Sequence, residues 1–222
     1  MAHVPFTDIA PPSKVLAIGL NYADHAGEQA VEPPKSPLIF VKTNNSICYD
    51  GDAIRWHAED SSQVDYEAEL AVVIGTRARQ VSEADALDYV FGYTCCNDVS
   101  ARDAQFGDKQ WVRGKSFDTF CPLGPHIVTA DEIPDPQSLS IACRVNGVTL
   151  QDANTSQMIF GVAELIAYCS RFMTLEVGDM IATGTPSGVG FARTPPIFLK
   201  DGDVCEIDIE KIGVLTNPCV VE

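Results

Sequence analysis

The chain of 222 residues is poor in positive charge: Lys and Arg number 15 against 31 Asp and Glu, a formal net charge of −16. Phosphate backbones need a basic face, so this balance argues against nucleic acid and against anionic membrane surfaces as partners. Long apolar runs are missing as well. None approaches the ~18 residues that read as a membrane helix. Residues 1–12 hold no basic stretch leading into an apolar core, so no signal peptide is expected and the protein is placed in the cytoplasm. Cys-x-x-Cys pairs are absent. The eight cysteines, such as the adjacent Cys95 and Cys96, lie in strand-like or helical patterns and not in a Cys/His cluster of zinc spacing. They are expected as buried, reduced thiols. The glycine-rich run 184–190 lacks the Gly-Lys-Ser/Thr of a phosphate loop, and no helical pattern follows it as a dinucleotide fingerprint requires. There is no internal repeat and no low-complexity tract.

What is present is an ordinary globular composition, 45% hydrophobic and 21% charged, over a length that suits one large domain. Short apolar segments at 14–19, 38–42, 91–97, 180–183, 204–209 and 213–216 read as strands. Residues 141–145, Asn146-Gly147 and 148–151 carry the strongest hairpin signal. Residues 82–89 predict a helix capped by Ser82. Residues 155–172 predict a longer amphipathic helix with Met158, Val162, Leu165, Ile166 and Cys169 on its apolar stripe. A helical turn is expected from Asn21, a possible cap, to about Ala30, before the proline-rich stretch 32–37 ends it. The sum is a β-rich α+β domain.

The stretch around which the rest is organised is residues 64–75, Val-Asp-Tyr-Glu-Ala-Glu-Leu-Ala-Val-Val-Ile-Gly. Alternation giving way to a continuous apolar run predicts one strand over 64–74, half covered at first and then buried on both faces. In such a strand Glu67 and Glu69 share a face, with Asp65 beside them. Like charges entering a core need water or a cation. Asp98 closes another apolar strand, and with the two glutamates it makes an oxygen-only donor set that suits Mg²⁺, Mn²⁺ or Ca²⁺ better than zinc. Three protein oxygens would leave about three of six octahedral positions open to substrate, a catalytic arrangement. Lys115 stands between Trp111 and Phe117 in an apolar setting.

Four ordered motifs carry a resemblance. They are Asp65-Tyr66-Glu67-x-Glu69-Leu70, the run from Asn97-Asp98 to Arg102-Asp103, the run from Gly114-Lys115-Ser116-Phe117-Asp118 to Gly124-Pro125, and the run from Thr183-Gly184-Thr185 to Gly190. Together they resemble the fumarylacetoacetate hydrolase superfamily over residues 14–220. The resemblance implies a mixed β-roll, usually a homodimer, with residues 1–13 as an N-terminal segment, 14–222 as a single catalytic domain and 21–37 as a mobile lid. It implies no extra N-terminal domain of the kind longer hydrolases carry. It implies Mg²⁺ or Mn²⁺ held by Glu67, Glu69 and Asp98, with Asp65 outside the ligand set. Lys115, Thr185, Arg102 and Gln105 would contact the 2-oxo-acid end of a small substrate. His25 and Glu28 match the superfamily's lid pair and would move a proton or activate a water, with Lys115 as a third catalytic group. His3, His57 and His126 match no motif. The expected reaction is hydrolysis of a C–C bond in an acylpyruvate such as fumarylpyruvate. The alternatives are decarboxylation or tautomerisation of oxaloacetate and isomerisation of 2-hydroxyhepta-2,4-diene-1,7-dioate. A non-catalytic ligand-binding protein is the competing class.

Overall fold

The protein is described here by a computed structural model covering residues 3–28 and 31–222. Met1, Ala2 and the last two residues of the expected lid helix, Gln29 and Ala30, lie outside the described residues. The strands, in chain order, are β1 (His3–Val4), β2 (Val15–Gly19), β3 (Leu38–Lys42), β4 (Ile47–Tyr49), β5 (Ile54–Trp56), β6 (Val64–Asp65), β7 (Ala68–Ile74), β8 (Val90–Asn97), β9 (Ser100–Ala101), β10 (Cys121–Thr129), β11 (Ser140–Val145), β12 (Val148–Asn154), β13 (Met180–Ala182), β14 (Val204–Ile209) and β15 (Gly213–Val221). The α-helices are α1 (Ala23–Glu28), α2 (Arg102–Gly107), α3 (Val112–Lys115) and α4 (Val162–Phe172). This is the expected β-rich α+β architecture.

An eight-stranded mixed sheet runs in the order β1-β10-β8-β7-β13-β2-β3, with β4 added alongside β10. A five-stranded sheet has the order β12-β11-β14-β15-β5, and β6 pairs with β9. Strand β7 lies inside the large sheet and is buried throughout. Its alternation feeds two cores. Leu70, Val72 and Ile74 pack with Ile141, Ile207 and Leu215 of the smaller sheet. Ala71 and Val73 face the other way, toward Val15, Leu123 and Met180, where Val4, Phe6 and Ile9 of the N-terminal segment cover them. Strand β1 pairs with β10, so this segment also extends the large sheet.

The Asn146-Gly147 turn joins β11 to β12 as expected, with φ of 52° and 76° at its centre. All eight cysteines are free and buried. No helix among the described residues is long and apolar enough to cross a membrane.

Three expected elements differ. The strand over 64–74 is broken: Tyr66 and Glu67 belong to neither β6 nor β7. Here the backbone leaves β9 for β8, and the side chain of Asn97 takes up the Glu67 N–H at 3.0 Å. The helix over 155–172 is likewise split. A capped 3₁₀ turn, Thr155–Gln157, precedes α4, because Asn21 claims the intervening backbone. The Ile159 N–H donates to the Asn21 carbonyl at 2.7 Å and the Phe160 N–H to Asn21 Oδ1 at 2.8 Å. So Asn21 is not the cap of α1. The helix over 82–89 is a 3₁₀ segment, Glu83–Tyr89, with the Ser82 cap in place.

Candidate active site

The parallel pair β2 and β13 organises the site. Both strands end on the same side. From the end of β2 the chain passes through Asn21 into α1, and from the end of β13 it passes into the glycine-rich loop. The Asn21 amide ties the two exits together, donating to the carbonyls of Thr183 at 2.7 Å and Phe160 at 3.0 Å. Gly184 adopts φ +99°, and a Cβ there would stand 2.7 Å from the Asn21 Cβ, so only glycine lets the two exits approach this closely. Beside them lie the start of β7, which carries Glu69, and the end of β8, which leads into Asp98.

Glu67, Glu69 and Asp98 come together here. All three are buried, and each offers an oxygen within 4.8 Å of the others. Three cations surround them. Lys115 Nζ donates to Glu67 Oε2 at 2.7 Å and to Asp98 Oδ2 at 2.8 Å. Arg102 pairs with Glu67 Oε1 at 2.7 Å and with Asp65 Oδ2 at 2.8 Å. Lys42, fully buried, donates to Asp98 Oδ1 at 2.5 Å and to the carbonyls of Val99 and Lys115. Burial favours its neutral form, but the attraction of Asp98 outweighs this and holds the Lys42 pKa above its ordinary value.

The carboxylates are not equivalent. Burial pushes Glu67 up, but Lys115 and Arg102, helped by His25, overcome it and hold the group below the ordinary carboxylate range. Glu69 receives one hydrogen bond, from the Gly184 N–H at 2.9 Å, and forms no ion pair among the described residues. Burial, then the charges of Asp98 and Glu67, drive its pKa well above the ordinary value. The Tyr22 hydroxyl, buried without a hydrogen-bond partner among the described residues, lies within the field of the same carboxylate. A divalent cation fits this donor set, because it supplies the charge that Glu69 lacks.

Asp65 is turned away from this cluster. It accepts from Arg102 Nε at 2.9 Å, from the Gly190 N–H at 2.8 Å and from the Phe191 N–H at 3.1 Å, so it fixes Arg102 and the far end of the glycine loop.

Across the cavity stands α1. His25 is buried, and its Nδ1 lies 2.7 Å from Glu28 Oε1. Glu28 Oε2 accepts from the Gly188 N–H at 2.9 Å, and Asp24 accepts from the Ser187 hydroxyl at 2.7 Å. These contacts seat the expected lid on the glycine loop. The cavity, about 240 Å³, is lined by His25, Glu67, Glu69, Arg102, Gln105, Lys115 and Thr185, with an apolar wall beyond them. Arg102 reaches the cavity held on three sides: Nη1 donates to Gln105 Oε1 at 2.9 Å, Nε donates to Asp65 Oδ2 at 2.9 Å, and Nη2 is ion-paired with Asp65 and Glu67. The Thr185 hydroxyl accepts from Gln151 Nε2 at 2.8 Å, which leaves its proton to donate.

All nine expected site residues thus converge on one cavity or its immediate frame. Sequence reasoning missed Lys42 and Gln151. Lys42 closes an apolar strand, which usually means a solvated lysine. Gln151 also receives the Ala68 N–H at 2.9 Å, and so joins the hairpin to the start of β7. The three unmatched histidines lie elsewhere. His3 and His126 stack at 3.7 Å, and His57 stands near Glu222 on the surface.

The comparisons agree with this geometry. Residues 14–220 match the fumarylacetoacetate (FAA) hydrolase C-terminal family. The mitochondrial oxaloacetate tautomerase of Xenopus laevis is 53% identical over 96% of this chain and 67% of its own length. A human mitochondrial oxaloacetate tautomerase, FAHD2A, is 49% identical over 96% of this chain and 69% of its own. Among solved structures, a fumarylacetoacetate hydrolase from Exiguobacterium antarcticum superposes with a TM-score of 0.89 at 46% identity, covering 96% of this chain and 76% of that one. A 2-hydroxyhepta-2,4-diene-1,7-dioate isomerase from Mycobacterium marinum gives 0.84 at 46% identity, with the same coverage. With a family match across nearly all of its length and relatives this similar, the chain belongs to the fumarylacetoacetate hydrolase superfamily and is an enzyme of the hydrolase, lyase or isomerase kind found there.

Proposed function

We propose that this enzyme moves a proton between the 2-oxygen and C3 of a small 2-oxo acid, the keto–enol tautomerisation of oxaloacetate or a close analogue. The observation that carries the reading is the facing of a His25–Glu28 pair and the Glu67, Glu69 and Asp98 cluster across one cavity of about 240 Å³. That volume is below the ~300–1,000 Å³ of drug-sized pockets and suits a short acid. Relatives named oxaloacetate tautomerase and dienedioate isomerase support proton transfer over the acylpyruvate hydrolysis that the sequence put first.

Mg²⁺ or Mn²⁺ held by Glu67, Glu69 and Asp98 would supply Lewis acidity toward the C1 carboxylate and 2-oxygen. Lys115, already turned toward Glu67 and Asp98, would balance negative charge developing on the 2-oxygen. Thr185 and Gln105 would donate to carboxylate oxygens, with Arg102 holding Gln105 in place. Glu28 accepts the Nδ1 proton of His25, which makes Nε2 the atom that exchanges a proton with C3. A neutral imidazole takes the C3 proton and an imidazolium returns it. The seating of Glu28 and Asp24 on the glycine loop would exclude bulk water while this happens.

We read the enzyme as a homodimer working in a reducing compartment. Its eight buried free thiols suit either the cytoplasm or the interior of a mitochondrion. The test is a substrate panel of enol oxaloacetate, acetylpyruvate, fumarylpyruvate and a seven-carbon enol diacid, read for ultraviolet loss of the enol and for pyruvate release. Tautomerisation predicts fast enol loss from oxaloacetate with no matching pyruvate. Stoichiometric pyruvate from an acylpyruvate at higher kcat/KM would return the reading to hydrolysis.

A further inference from the structure

The rest of the cavity lining is apolar, formed by Ile18, Leu20, Val31, Phe40, Phe106 and Trp111. Lys115 Nζ stands 5.2 Å from the centre of the Phe40 ring, and the Arg102 guanidinium 4.4 Å from that of Phe191. Both cations at the inner end are committed, Arg102 to Asp65 and Glu67, Lys115 to Glu67 and Asp98. Among the described residues that line the cavity, Arg102 and Lys115 are the only Lys or Arg side chains, so a second carboxylate finds no further cation there. The wall is aromatic and built in place. Phe40 and Trp111 meet edge to face at 5.4 Å, and Phe106 meets Phe191 at 5.3 Å. The Trp111 ring packs on the backbone of Gly19, where a Cβ would lie 2.7 Å from it. Any larger residue at position 19 would push the indole off the wall.

A short 2-oxo acid is held wholly at the polar end. A longer one must put its tail against this wall. A distant carboxylate there loses its hydration with no partner to replace it, whereas an aryl group gains apolar contact. We propose that the site also tautomerises aromatic 2-oxo acids, of which phenylpyruvate is the simplest, and selects against long enol diacids. This rests on the tautomerase reading. The chemistry is an isomerisation and needs no co-reactant. The enol O–H bond breaks and its proton leaves to solvent. The C2=C3 π pair forms the new C3–H bond with the proton that His25 supplies, the carbonyl forms at C2, and solvent reprotonates His25.

The test measures ketonisation of enol oxaloacetate, enol phenylpyruvate and a seven-carbon enol diacid by the enzyme loaded with Mn²⁺, alongside the Phe106→Arg variant. Phe106 is 57% exposed on α2, so the substitution is compatible with folding. The expected result is acceleration of phenylpyruvate above the rate in buffer with Mn²⁺, at a kcat/KM ~10-fold or more above that of the long diacid, the scale on which pocket contacts discriminate. Phe106→Arg should lower that ratio by ~10-fold or more, because it places a cation at the wall. If oxaloacetate is turned over while phenylpyruvate is not, or the long diacid is preferred, the inference fails and the tautomerase reading stands. If neither oxaloacetate nor phenylpyruvate is accelerated, both fall.

Discussion

The two ends of the β2–β13 pair each bury a carboxylate, and they treat it differently. At the entry end Asp179 accepts from the backbone N–H groups of Ser13 at 2.8 Å, Lys14 at 3.1 Å and Glu176 at 2.8 Å, from the Ser13 hydroxyl at 2.7 Å, and from the Lys14 ammonium. Burial works against its charge, but Lys14 and the other donors overcome it and hold its pKa below the ordinary value. At the exit end Glu69 has, among the described residues, one backbone donor and two like-charged neighbours. The first arrangement is complete in itself and ties down two strand starts. The second is left short of positive charge beside a cavity. The difference between a structural and a functional buried acid therefore lies in how far the chain itself satisfies it.

Single substitutions at the two ends should differ in what they cost. The largest effect is expected at His25. His25→Ala should lower kcat for oxaloacetate tautomerisation by ~10²–10⁴-fold, the usual worth of a positioned acid–base group, with the melting temperature little changed. Steady-state kinetics beside a thermal melt checks both halves, and an unchanged kcat would remove His25 from the mechanism. Next comes Lys42→Met, which strips one of the cations from Asp98 inside a dry site. Breaking a buried pair in this way costs ~3–5 kcal/mol, which for a chain of this size lowers the melting temperature by roughly 10 °C. A melt within a degree or two of the parent would mean that Lys115 alone suffices for Asp98.

Asp179→Asn should cost ~1–3 kcal/mol and leave kcat at 25 °C unchanged. Its pH dependence has a definite sign. The folded pKa of Asp179 is depressed, so its stabilisation is present above the unfolded value of ~3.9 and is lost as the pH falls through the folded value. Denaturant melts at pH 7 should separate parent from variant, and the gap should close in acid. A gap that persists unchanged below the folded pKa would mean that Asp179 acts by shape and not by charge.

The sequence made the exit end legible and the entry end much less so. Glu67, Glu69 and Asp98 could be read because their spacing sets like charges where apolar strands begin or end, and because ordered motifs surround them. His25 and Glu28 were legible as a pair three residues apart on one helical turn. Lys42 was not, since its burial depends on β3 meeting the loop after β8, a contact between residues 56 positions apart. Asp179 sits in a Val-Gly-Asp turn, and what buries it is Ser13 and Lys14, 166 and 165 positions away. The misread boundaries share one cause. Asn97 and Asn21 take backbone hydrogen bonds that local periodicity assigns to a continuous strand at Glu67 and a continuous helix at Ile159. Side-chain claims on backbone groups are tertiary facts, and hydrophobic patterning does not encode them.

Proton transfer is proposed to depend on a cation held by Glu67, Glu69 and Asp98. The direct measurement is the rate of enol oxaloacetate loss by protein stripped with EDTA, followed as Mg²⁺ or Mn²⁺ is returned, for the parent and for Glu69→Gln. Stripping should bring the rate down to that in buffer, and returned metal should restore the parent but not the variant at the same concentration. The metal-free variant should also melt a few degrees above the metal-free parent, at ~2–4 °C per kcal/mol of relieved repulsion. Full activity in the stripped parent would rule out a role for the cation.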